Sequence, residues 1–230
     1  MSGASPIGWP QMTSPFTAIL FDLDGTIVDS APGITASLAY TLEQLGRPIP
    51  APTELLEWVG PPILDSFRDR LGITGAEADA ALVIYRTHYL ANGALDSALY
   101  PGVTNVLRAI RDSDAALSLA TSKPESLARR ILEVNGLVDC FDYITGASED
   151  EVRSAKADVV AEALRRLTDG GFDISAPVLV GDRHYDVLGA AENGVPTIFV
   201  EWGYGGVAEQ VGTIAVAADA PALQTLLLDT

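Results

Sequence analysis

The sequence predicts an α/β protein: a doubly wound, Rossmann-like parallel sheet with a small α-helical domain inserted after the first strand. Two observations carry this prediction. After Tyr100-Pro101-Gly102, short apolar runs at residues 116–120, 141–145, 178–180 and 197–200 alternate with helical stretches centred near Leu107, Leu132, Leu164 and Leu188. That alternation gives a parallel sheet covered by helices on both faces. Between Ser30 and Ala98, in contrast, apolar residues recur only at helical spacing. The resulting division is a tail at 1–15, a core made of 16–29 and 99–230, and a helical insert at 30–98.

The first strand is the run Ala18-Ile19-Leu20-Phe21, and it delivers Asp22-Leu23-Asp24-Gly25-Thr26 at its end. Side chains at i and i+2 leave a strand on the same side, so Asp22 and Asp24 can converge on one substrate atom or one metal ion. Gly25 frees the backbone to turn behind them. In the insert, Ile34, Leu38, Leu42 and Leu45 form one helical face, which stops at Gly46 and Pro48. A short helix opens at Thr53-Glu54 and ends at Gly60-Pro61-Pro62; Ile63, Leu64, Phe67 and Leu71 line a third helix, and Leu82, Tyr85 and Tyr89 a fourth. Asp29-Ser30 and residues 96–101 are the candidate hinges.

In open α/β sheets, ligands sit outside the carboxyl ends of the strands, so the residues there are read together. The run at 116–120 is followed by Thr121-Ser122-Lys123-Pro124, with a helix after it. Hydroxyls and free N–H groups at a helix start can cap the helix or hold an anion. Lys123 at such a corner can equally face solvent, and it is expected to matter far less than Lys156. Lys156 opens a helix whose apolar face is Val159, Val160, Ala163, Leu164 and Leu167. A lysine there opposes the helix dipole, so its placement needs another reason, such as holding a carboxylate and a phosphate oxygen. The run ending in Val180-Gly181-Asp182 has Asp186 four residues on. That i, i+4 spacing puts both carboxylates on one face, suited to a hard cation such as Mg²⁺, although an N-cap and a first-turn Asp would share the pattern.

A formal charge of −17 repels nucleic acid and anionic lipid. A phosphate site must therefore be built locally, from lysine, backbone N–H groups and a cation. The chain holds only two lysines, Lys123 and Lys156. Its single cysteine, Cys140, excludes an intramolecular disulfide and a multi-cysteine zinc site, and fits a reducing cytoplasm. Residues 1–15 lack a basic segment followed by an apolar one, so they read as a tail, with Met12 an alternative start. No window reaches the roughly 18 unbroken apolar residues of a membrane span.

The order Asp22/Asp24, Thr121, Lys156, Asp182/Asp186 resembles the haloacid dehalogenase superfamily of phosphohydrolases, from about Phe16 to the end of the chain. Gly60-Pro61-Pro62, the stretch Gly181-Asp182-Arg183-His184-Tyr185-Asp186-Val187 and Trp202-Gly203-Tyr204-Gly205 are similar to its phosphoglycolate phosphatase and 5′-nucleotidase-like branches. The resemblance implies hydrolysis of a small phosphorylated metabolite through an aspartyl-phosphate on Asp22, with Asp24 as acid and base. It further implies Mg²⁺ held by Asp22, the Asp24 backbone carbonyl, Asp182 and Asp186. Thr121, Ser122 and Lys156 would bind the phosphoryl group. The insert would be a cap whose Gly60 loop, with Arg68 and Arg70 after it, reaches the leaving group.

Asp24 argues against a dehalogenase, because a halide leaves without protonation. A phosphonate hydrolase of the superfamily needs a cap lysine, and no lysine lies between Asp29 and Tyr100. A sugar phosphomutase and a regulatory relative that transfers phosphate to protein stay open.

Overall fold

The computed structural model describes residues 13–95 and 97–228. The sequence reading of residues 1–12, including Met12, and of Asp96 in the second hinge lies outside them.

Among the described residues, the main sheet is six-stranded and parallel. Strand β1 (Ala18–Phe21) lies between β4 (Ala116–Pro124) and β6 (Pro177–Gly181), with β5 (Tyr143–Ala147) outside β4, and β7 (Thr197–Val200) then β8 (Ala215–Ala217) outside β6. The chain builds outward from β1 to one edge and then returns to build the other half. The strand order therefore reverses beside β1, which opens a crevice at its carboxyl end. Phe21 pairs with both Leu119 and Val180, so the residues that follow these strands emerge side by side.

Alternation along the strands divides the core into two layers. Ile19, Phe21, Leu117, Leu119, Val178 and Val180 point to one face, against α5 (Val103–Arg111), α6 (Glu125–Val134) and α9 (Ala220–Leu227). Leu20, Ala120 and Leu179 point to the other, against α7 (Lys156–Asp169) and α8 (His184–Glu192). Burial on both faces accounts for the continuous apolar runs in the sequence.

The insert comprises α1 (Ala31–Gln44), α2 (Pro52–Leu56), α3 (Ile63–Ser66) and α4 (Gly75–Asn92), and it carries its own core around Leu38, Leu42, Trp58, Phe67, Leu82 and Tyr85. Helix α3 widens into a π-helical turn over Phe67–Leu71, ended by Gly72 at φ +69°. The chain enters and leaves the insert through a two-stranded antiparallel ribbon, β2 (Val28–Asp29) with β3 (Ala98–Leu99).

Some boundaries differ from the sequence reading. The strand expected at 141–145 begins at Tyr143, because Val138–Cys140 forms a 3₁₀ turn and the Asp142 carboxylate accepts from Leu117 N–H at 2.8 Å. Strand β4 runs past residue 120 to Pro124 through an irregular register. Among the described residues, no helix is long and apolar enough to cross a membrane.

Candidate active site

Three neighbouring strands deliver the polar groups. Asp22 and Asp24 follow β1, Thr121 to Lys123 lie at the end of β4, and Asp182 follows β6. Lys156, the first residue of α7, reaches in from one side. Asp22, Asp24, Thr121, Lys123, Lys156, Asp182 and Asp186 are all buried.

Lys156 Nζ lies 2.6 Å from Asp22 Oδ1 and 2.7 Å from Asp186 Oδ1, and donates to the Ala120 carbonyl at 3.0 Å. These bonds explain a lysine at a helix start where the dipole disfavours it. Burial opposes its charge, but the Asp186 and Asp22 carboxylates outweigh burial and hold the ammonium above its ordinary pKa. Asp22 is pushed up to about 6, first by burial; Lys156 pulls the other way, and Asp186 and Asp24 add to the rise. Burial, reinforced by Asp186 and Asp22, also holds Asp182 well above the usual carboxylate range.

Asp182 and Asp186 meet by a different route from the expected helical face. Asp182 lies at the strand end, outside α8. Asp186, in the first turn of α8, reaches back, and its Oδ2 accepts from the N–H groups of Asp182 at 3.1 Å and Arg183 at 3.0 Å. The capping contact and the convergence of the two carboxylates are thus one feature. The Asp182 oxygens accept from Thr26 Oγ1 at 3.2 Å and Tyr204 N–H at 2.7 Å. A Cβ on Gly25 or Gly203 would run into that carboxylate.

Asp22, Asp182 and Asp186 each offer an oxygen, and these oxygens lie within 4.8 Å of one another. Asp186 Oδ1 is buried, and Lys156 at 2.7 Å is its one close contact among the described residues. Three buried carboxylates against one ammonium leave excess negative charge, and hard oxygen donors suit a cation such as Mg²⁺. The residues therefore fit the metal that the motifs imply. The Asp24 carboxylate is not in this cluster.

Asp24 is held by Lys123, which faces inward and not solvent. Lys123 Nζ sits 3.1 Å from Asp24 Oδ2 and 2.9 Å from the Tyr89 hydroxyl, and its side chain is 5% exposed. Burial opposes its charge, but Asp24 and then the Tyr89 and Tyr85 hydroxyls outweigh burial and hold it above its ordinary pKa. Asp24 Oδ1 is buried and has no hydrogen-bond partner among the described residues.

Thr121 is buried next to this pair, its hydroxyl accepting from Lys123 N–H at 3.3 Å. Ser122 is half-buried and lines a cavity of about 300 Å³ between insert and core, together with Asp24 and Gly60. Gly60, at φ +114°, lies against Arg183, whose guanidinium donates to the Val59 carbonyl and, at 2.9 Å, to Glu209. Arg68 does not line this cavity but a neighbouring one, together with Ser122 and Lys156. Its guanidinium is more than half exposed and paired with Asp65 at 2.6 Å and Asp69 at 2.8 Å, while Arg70 pairs with Glu57 at 2.7 Å. Beyond Lys123, the sequence reading missed Tyr89, Tyr204 and Arg183 as contributors. The Trp202-Gly203-Tyr204-Gly205 stretch was the one available signal for Tyr204.

The model of the haloacid dehalogenase-like hydrolase family matches residues 19–200, which hold every strand-end group above. The chain belongs to that family. The chain is 42% identical over 202 residues to the tyrosine-protein kinase PtkA of Mycobacterium tuberculosis; the match covers 88% of this chain and 66% of the kinase. It is 36% identical over 188 residues to a 5′-nucleotidase of Pseudomonas aeruginosa, covering 81% and 83% of the two chains. The crystal structure of a predicted phosphatase from Clostridium acetobutylicum superposes with a TM-score of 0.85 at 33% identity, covering 91% of this chain and 97% of the other. This haloacid dehalogenase-like hydrolase thus shares its fold with a solved structure over 91% of its length.

Proposed function

We propose that the chain is a Mg²⁺-dependent phosphatase that hydrolyses small phosphate monoesters through an aspartyl-phosphate on Asp22. The observation that carries this reading is the division of labour between two carboxylates two residues apart. Asp22 sits with Lys156 in the cluster of three carboxylates, whereas Asp24 sits with Lys123 and keeps one oxygen without a partner among the described residues.

Asp22 attacks phosphorus in line, forming the acyl phosphate as the bond to the leaving oxygen breaks. Asp24 Oδ1 gives a proton to that oxygen, then takes one from the water that attacks the phosphorus of the acyl phosphate, releasing phosphate and restoring Asp22. Lys156 and the Thr121 hydroxyl hold the phosphoryl oxygens as charge develops on them. A divalent cation held by Asp22, the Asp24 carbonyl, Asp182 and Asp186 would neutralise further phosphoryl charge. Residues 30–98 act as the cap that keeps bulk water out, and Ser122 and the Gly60 loop meet the leaving group. Arg68, paired with Asp65 and Asp69, lines the neighbouring cavity with Lys156 and would meet the substrate from there.

Phosphate release from a panel of monoesters with Mg²⁺, compared with Asp22→Asn, tests this reading. Release that is unchanged in the variant overturns it. The name of the mycobacterial relative supports a second reading, transfer to a protein hydroxyl instead of water. Phosphotyrosine formed on protein from ATP, with no phosphate released from the panel, would favour that reading.

A further inference from the structure

We infer that the alcohol released at this site carries an uncharged ring, so that an aromatic phosphate monoester is preferred to a carboxylate-bearing one such as phosphoglycolate. This inference rests on the phosphatase reading and narrows its substrate class.

The cavity between insert and core begins at Asp24, so whatever occupies it lies where the leaving group must be. Its apolar wall includes Ile34, Trp58 and Leu90, beside Tyr85 and Tyr89. The two tyrosine rings are stacked, with centroids 5.7 Å apart and planes 18° apart, which gives the wall a flat aromatic element. Flat rings pack well against such surfaces.

The charges in the lining decide between ligand classes. Besides its tyrosines, the described lining holds two basic side chains, Lys123 and Arg86, and three acidic ones, Asp24, Glu149 and Glu151. Each cation already has a partner, Lys123 with Asp24 at 3.1 Å and Arg86 with Glu151. Among the described residues, no lining cation is without a contact: Arg86 is held by Glu151, and Lys123 by Asp24 and the Tyr89 hydroxyl, so the lining has no net positive charge whether Asp24 is ionised or carries the proton it gives. A carboxylate on the leaving group would have to displace Arg86 from Glu151 or Lys123 from Asp24 and Tyr89, with no net positive charge to draw it in. A neutral ring meets neither obstacle.

The test compares kcat/KM for benzyl phosphate and phosphoglycolate, both esters of primary alcohols, in the intact protein with Mg²⁺. Benzyl phosphate is expected to be favoured by about tenfold or more, mainly through KM. Tyr85→Leu should narrow that ratio by weakening ring contact. Glu151→Gln, by releasing Arg86, should shift it toward phosphoglycolate. A nucleoside 5′-monophosphate and N-acetylphosphotyrosine amide then distinguish two sources of the ring, and a lower KM for either than for phosphoglycolate supports the inference. Phosphoglycolate used as well as or better than benzyl phosphate overturns it and leaves the phosphatase reading standing. No phosphate released from any ester overturns both.

Discussion

The Lys123 ammonium lies 3.1 Å from Asp24 and 2.9 Å from the Tyr89 hydroxyl, so one side chain of the core is shared by a candidate acid–base group and a residue of the insert. Replacing Lys123 with Met leaves a buried carboxylate without its counter-charge, a loss that generally costs several kcal/mol unless the group takes up a proton. Turnover is expected to fall about 10- to 100-fold, with a displaced pH–rate profile. Wild-type kcat and pH profile in Lys123→Met would remove the pair from the mechanism.

Lys156 should be the more sensitive of the two. Its ammonium serves Asp22, Asp186 and the Ala120 carbonyl at once. Lys156→Met is expected to lower kcat by about 100-fold or more, as loss of charge stabilisation at a reacting centre does. Lys156→Arg should rescue little, because a planar fork cannot place three donors around one compact point. Steady-state kinetics on one monoester decides the matter.

Asp22 links stability to pH and to Mg²⁺. Its ordinary pKa of 3.8 rises to about 6 in the fold. In the window between those values the folded chain holds a proton that the unfolded chain has released, so stability falls as pH rises through it. Cation binding needs the ionised carboxylate and reverses that penalty. The rise in Tm on adding Mg²⁺ should therefore be larger near about pH 7.5 than near about pH 5. A rise independent of pH, in thermal unfolding with and without Mg²⁺, would exclude Asp22 as a ligand.

Gly25 and Gly46 separate backbone strain from damage to the site. Both have left-handed φ, +83° and +64°, but a Cβ at Gly46 meets nothing within 4 Å, whereas one at Gly25 presses on Asp182. Gly46→Ala should cost only about 1 kcal/mol of strain and keep activity. Gly25→Ala should also weaken the Mg²⁺ dependence of Tm and abolish turnover. Equal behaviour of the two variants would separate Asp182 from the reaction.

The legible features were those written locally. Thr197–Val200 and Ala18–Phe21 are apolar runs bounded by abrupt polar residues, and the structure places strands on those same residues. Asp182 and Asp186 stood out because both lie within one strand-to-helix turn. Lys123 did not, since Tyr89 and Asp24 are far from it in sequence and spacing rules see only near neighbours. Strand β8, an Ala-Val-Ala edge segment, offers no alternation strong enough to mark it. The 3₁₀ turn before Tyr143 is set by packing and by the Asp142 contact, so the apolar Phe141 ahead of it reads as strand when it is not.

The β2–β3 ribbon pairs Val28 with Leu99 and Asp29 with Ala98, and Tyr100 N–H donates to the Ile27 carbonyl at 3.0 Å. Seen from the sheet, the whole insert is therefore one long hairpin loop, with both ends clamped at adjoining backbone positions. Lengthening such a loop costs little closure entropy. A lid of different size and lining could be spliced between these two strands while β1 keeps its register, which makes the ribbon a natural junction for chimaeras that exchange substrate preference between relatives and retain the same chemistry beneath.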